Sequence, residues 1–205
     1  MYTPVRDDEI TGSVRYLDEQ LSAIRAAAFG LTEEQAASHP CRSALSIGGI
    51  IKHVTDGMRG TVDRLNGVEA AAFDEATLAR YQQGFVIGEG ETTAGVIADF
   101  DELRPVYLAA LSALDPGAEI LEDPSPWFGI FDRRPANARY AVSHQVEEMA
   151  RHAGHADIIR EQIDGISVPA LVMTLEGVPA NQFFAPYQPQ PGTIGVDWVV
   201  GAPTS

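Results

Sequence analysis

HQVEEMARHAGHADIIREQIDG, residues 144–165, contains three of the chain's five histidines within twelve consecutive positions. Val142, Val146, Met149, Ile158, Ile159 and Ile163 recur at helical spacing across it, with Asn137 as a candidate N-cap and Gly165 as the stop. At about 100° per residue, Glu148, His152 and His155 all fall within about 80° of His144. One helix face therefore stacks His144, Glu148, His152 and His155. A glutamate and a histidine four positions apart can reach one cation, and an imidazole–carboxylate set suits zinc, nickel or iron(II) better than magnesium or calcium. The same pattern also describes a solvated helical face, and a metal needs a third ligand from elsewhere.

Three more segments share that periodicity. The first spans about Asp7 to Ala28, with Val14, Leu17, Leu21 and Ile24 as its stripe and Gly30 beyond it. The second runs from Ser46 to Asn66–Gly67. The third begins at Thr92–Thr93, carries Val96, Ile97, Phe100, Leu103, Val106, Leu111 and Leu114, and contains Pro105, which is expected to bend or break it. Four long helices without alternating strands predict an all-α protein, an antiparallel four-helix bundle over residues 1–165. Residues 166–205 hold six prolines and no Lys or Arg, yet include Phe183, Phe184, Tyr187 and Trp198. They predict an irregular, extended arm packed on the bundle or on a neighbouring subunit, with a short strand at residues 193–199; a disordered tail is the competing reading.

On the second helix, His53 shares a face with Ser46, Gly49, Gly57 and Gly60. Small residues there permit either close helix packing around a hydrogen-bonded core histidine or open volume beside a ligand. His39 has no such setting and reads as surface. Trp127, Phe128 and Phe131 in the Pro-rich linker are candidates for an apolar lid or for core, and Tyr81, Arg133 and Arg134 for the mouth of a pocket.

Net charge is −15, from 29 acidic and 14 basic residues. That balance argues against a nucleic-acid partner, which needs clustered Lys and Arg. Cys41 stands alone, so disulfide frameworks and Cys-based zinc clusters are excluded. MYTPVRDDEI lacks the basic-then-apolar pattern of a signal peptide, and no apolar run suits a membrane helix; the expected location is the cytoplasm.

LSIGGIIKHVTDGMRG at residues 45–60, followed by the opening segment, resembles the DinB-like superfamily over about residues 7–165. The nearest branch is an actinobacterial-type group related to the mycothiol-dependent maleylpyruvate isomerase. The resemblance implies an up-down-down-up four-helix bundle with one divalent ion, zinc before nickel or iron. It implies His53, Glu148 and His152 as metal ligands; many members have histidine where Glu148 stands, whereas the isomerase branch is similar in using glutamate. His144 and His155 then become proton carriers or supporting donors. It further implies a small-molecule substrate, a low-molecular-weight thiol such as mycothiol or bacillithiol as cosubstrate, S-transfer or isomerisation as the reaction, and a homodimer. Cys41 is not needed as the nucleophile. A metal-dependent hydrolase, a non-catalytic metal or small-molecule binder, and a metal-free vestigial bundle are the alternatives.

Overall fold

A computed structural model describes residues 5–69, 74–125 and 128–198. The described residues form α1 (Glu9–Ala26), α2 (Glu33–Ala37), α3 (Ile47–Leu65), α4 (Glu75–Gln83), α5 (Thr93–Ser112), β1 (Glu119–Glu122), β2 (Arg134–Asn137), α6 (Ala138–Asp164) and α7 (Val168–Leu175). The protein is thus mostly helical. The all-α expectation needs one correction: β1 and β2 pair antiparallel, with Glu119 opposite Asn137 and Glu122 opposite Arg134. Each strand is four residues long and largely exposed, too short to show an alternation in sequence.

Side-chain caps start the long helices where backbone donors would otherwise be unpaired. Asp8 caps α1, Ser46 takes the Gly49 N–H at 3.1 Å, and Thr92 takes that of Gly95 at 3.0 Å. Asn137 occupies the α6 N-cap without a side-chain bond, and Gly165 ends the helix at φ 77°. Helix α3 packs along α5 and α1 along α6, with smaller contacts between α1 and α5 and between α3 and α6. The stripes meet as an apolar interior in which Leu17, Leu21, Ile24, Ile47, Ile50, Ile51, Met58, Phe100 and Leu111 are fully buried. Burial of such side chains contributes roughly 1.5–3 kcal/mol each. Arg104 of α5 and Arg25 of α1 pin the two helices together, through Asp18 at 2.7 Å and Asp101 at 2.6 Å respectively.

Helix α5 runs through Pro105 without a break. The ring removes one ladder donor, but Phe100, Tyr107 and Leu111 are buried on both sides of it, and their packing outweighs that loss. Val106 and Ile158, assigned to the core stripes by spacing, are instead exposed.

The arm departs from an extended strand. Its first part forms α7, and residues 193–198 turn instead of forming the expected strand. Gly192 and Gly195 adopt φ of 80° and 73°, which interrupts any extended run, and Val199 lies outside the described residues. The arm nevertheless grips the end of α1. Gly30 donates to the Ile194 carbonyl and Ile194 to that of Leu31, both at 2.8 Å. Trp198 stacks on Phe29 with centroids 6.0 Å apart, and the Arg25 guanidinium lies 3.6 Å above its ring. Tyr187 meets Phe29 edge-on at 5.5 Å.

Candidate metal centre

Helices α3 and α6 bring His53 and His152 together, 99 residues apart in the sequence yet with ring centroids 4.8 Å from each other. Around the corner on α6, His152 Nε2 stands 3.6 Å from Glu148 Oε2. That gap exceeds a hydrogen bond. It is close to the about 3.4 Å that separates two ligand atoms on 2.1 Å bonds at a tetrahedral angle. The Nδ1 atoms of His152 and His155 are buried with no hydrogen-bond partner among the described residues. Two imidazoles, a carboxylate and unpaired ring nitrogens are a donor set that fits a divalent transition-metal ion.

His155 continues the row, its ring 5.8 Å from that of His152. His144 lies farther out. It stacks on Tyr140 and places Nδ1 3.2 Å from Glu147. Among the described residues, His144, Glu147 and Glu148 are the group of three that brings one ligand atom each within 4.8 Å of one another, and this His–Glu–Glu cluster could hold a metal ion; His53, Glu148 and His152 do not converge that closely. Arg151 pairs with Glu147 there and holds its carboxyl below the usual range. Glu148 is common to the inner and outer groups.

Sequence reasoning missed Phe85. Its ring stacks on His53 at 3.9 Å and 17°, while Tyr81 of α4 meets the same imidazole edge-on at 5.9 Å. Gly49 permits this. A Cβ on Gly49 would stand 2.0 Å from the Phe85 carbonyl oxygen, whereas Gly57 and Gly60 have no heavy atom within 4 Å of that position. The small-residue face of α3 therefore serves both purposes: close approach at one end, open space at the other. Gly49→Ala is expected to cost about 1–3 kcal/mol in chemical denaturation and to displace Phe85 from His53. Gly12→Ala, in open space on α1, should instead be neutral or gain up to about 1 kcal/mol. Equal stabilities for the two variants would contradict the close approach.

The other lid and mouth candidates distribute differently. Phe128 and Phe131 are 77% and 70% exposed, so neither is buried against the histidines, and Trp127 lies outside the described residues. Arg133 is tied to Asp123 at 2.9 Å and to the Val68 carbonyl at 3.1 Å, and Arg134 is an exposed residue of β2. His39 is exposed.

Burial, with a smaller contribution from neighbouring His152, lowers the His53 pKa to about 4. Burial also lowers that of His152, partly countered by Glu148. Both imidazoles are therefore neutral at pH 7, the form that ligates metal. Below about pH 6.5 the unfolded chain takes up a proton at these positions while the native fold does not. Stability of metal-free protein should thus fall as the pH drops from about 6.5 toward about 4, and melting temperatures across that window check it. His53→Gln should flatten the fall; an unchanged slope would show that His53 is not the group responsible.

The family model of mycothiol-S-transferases matches residues 13–165. The chain belongs to the mycothiol-S-transferase family, within the DinB-like superfamily, and has a mycothiol-S-transferase-like function. Comparison with curated proteins and with solved structures gives no match. No helix among the described residues is long and apolar enough to cross a membrane.

Proposed function

We propose that the chain transfers a small molecule onto mycothiol at an ion held by His53, Glu148 and His152. The observation that carries this reading is the meeting of α3 and α6 at the two histidine rings, 4.8 Å apart, with the Glu148 carboxylate 3.6 Å from His152. The inner set is favoured over the outer cluster because it offers two neutral imidazoles and is better shielded, while Glu147 already pairs with Arg151. Zinc suits this mixture of nitrogen and oxygen donors. When bound, a divalent ion supplies Lewis acidity that favours thiolate over thiol near neutral pH.

The remaining roles belong to the chain. Phe85 and Tyr81 fix the His53 ring and keep water from one side of it. His155, against His152, accepts the thiol proton; His144 at the outer rim passes it to solvent. Helices α1, α3, α5 and α6 are read as an antiparallel four-helix bundle, supported by the α3–α5 and α1–α6 pairings. Residues 1–165 form that unit, and residues 166–205 the arm that braces the end of α1. The test is transfer of mycothiol to monochlorobimane by purified protein, before and after chelation. Activity should disappear on chelation and return with zinc. Full activity in rigorously metal-free protein would overturn the reading.

A further inference from the structure

Phe85 lies on His53, yet the helix before it gives it little anchorage, since none of the nine residues of α4 is buried. The position of Phe85 is set from its other side, by residues 86–93. There the chain is fixed at the start of α5, where Thr93 and Ala94 donate their N–H groups to Glu33 at 2.7 and 3.0 Å. It crosses the first turn of α3 so closely that a Cβ on Gly48 would stand 2.7 Å from Thr93 Oγ1 and 2.9 Å from Ile87. One turn along α3, Lys52 closes the strap. Its ammonium donates to the Val86 carbonyl at 3.0 Å and to Glu91 at 2.6 Å, and Glu91 also accepts the Gly88 N–H at 2.7 Å.

Lys52 precedes His53 on α3 and emerges about 100° around the helix from it. What it grips decides where Phe85 stands, because the Val86 carbonyl follows directly on that residue. Phe85 in turn serves two of the proposed ligands: its ring stacks on His53 at 3.9 Å and lies 6.4 Å from that of His152. The Lys52 and Glu91 side chains are 20% and 41% exposed. A tie that solvent reaches contributes little to global stability. It governs instead the local opening of a segment with few buried contacts. Once the strap lifts, the His53 ring is free to turn and water reaches it.

We propose that Lys52 and Glu91 are positioning residues of the metal centre: their tie keeps Phe85 on His53 and so sets how readily the ion escapes. This inference rests on the metal reading above, but its first test needs no ion. In metal-free protein at about pH 8, above the range in which imidazoles titrate, the ring current of Phe85 should shift the His53 ring protons upfield. Their signals are assigned by their loss in His53→Gln. Lys52→Met and Glu91→Ala should move them toward the positions of exposed His39, while Lys52→Arg, which keeps the charge and its donors, should not. The second test follows transfer of zinc from the loaded full-length protein to pyridylazoresorcinol. It should be faster by about tenfold or more in the same two variants, as when a residue supporting a ligand is removed. Asp101→Ala is the matched control, because Arg25–Asp101 has the same length, 2.6 Å, and the same exposures, 20% and 41%, away from the histidines. It should leave signals and zinc release unchanged, and all these variants should melt within about 4 °C of the wild type. Unmoved His53 signals in folded Lys52→Met and Glu91→Ala, or equal acceleration in Asp101→Ala, would overturn the proposal. If the signals move while the wild type retains no zinc, the strap stands and the metal assignment falls. If they stay while zinc is retained, only the strap is wrong.

Discussion

Replacing His152 by alanine is expected to lower kcat/KM for mycothiol transfer by more than about a hundredfold, with loss of bound metal. Removing even a residue that only supports a ligand typically costs 10–100-fold in metal affinity or activity, and a ligand should cost more. His152 stands beside three of the other members: His53 at 4.8 Å and His155 at 5.8 Å between ring centroids, and Glu148 at 3.6 Å. The fold should survive the change, since the native side chain leaves Nδ1 unpaired and truncation removes no hydrogen bond from the interior. His39→Ala, at an exposed position, is the control and should leave both quantities unchanged. Steady-state kinetics beside metal analysis checks the pair. A His152→Ala protein with wild-type turnover would remove the catalytic role assigned to this face of α6.

The largest loss of stability is expected at Arg160, which is fully buried. Its guanidinium donates to the Ala27 carbonyl at 2.8 Å, the Phe29 carbonyl at 2.6 Å, and Asp164 at 3.0 and 2.7 Å. It thereby ties the C-terminal half of α6 to the turn that follows α1, where Trp198 and Tyr187 of the arm dock on Phe29. Arg160→Ala would strand two carbonyls and a carboxylate. Breaking a buried pair in this way costs about 3–5 kcal/mol, which for a chain of this size lowers the melting temperature by about 10 °C or more. Urea denaturation of the metal-free protein measures it. A change below about 1 kcal/mol, within the range of ordinary surface substitutions, would mean that the arginine does not hold the arm and the two helices together.

The long helices were legible because their boundaries carry chemistry at single residues: Ser46, Thr92, Asn137 and Gly165 all stand at the ends that their types suggest. The clustering of His144, Glu148, His152 and His155 on one face was legible from helical geometry alone. What faces them was not. Helix α4 buries none of its nine residues, so it has no apolar stripe to reveal it. Phe85 follows it in a segment that no periodicity marks, and its position depends on the backbone contact at Gly49. Glycines 49, 57 and 60 look alike in sequence; only the packing distinguishes the one that admits a neighbour from the two that leave space. Similarly, Arg64 and Glu122 are 58 residues apart, and nothing local signals their meeting. Helix α7 was missed because Pro169 and the proline-rich stretch after it suggested an extended arm, whereas proline at the first turn of a helix costs nothing.

The most direct test of the central claim is the metal content of His53→Ala beside Glu147→Ala, each loaded with zinc, desalted and analysed by mass spectrometry. His53 belongs to the inner set alone and Glu147 to the outer cluster alone. The account predicts that wild-type and Glu147→Ala proteins retain a stoichiometric ion while His53→Ala loses it. Full retention by His53→Ala, with loss in Glu147→Ala, would place the ion in the outer cluster and contradict a centre built between α3 and α6.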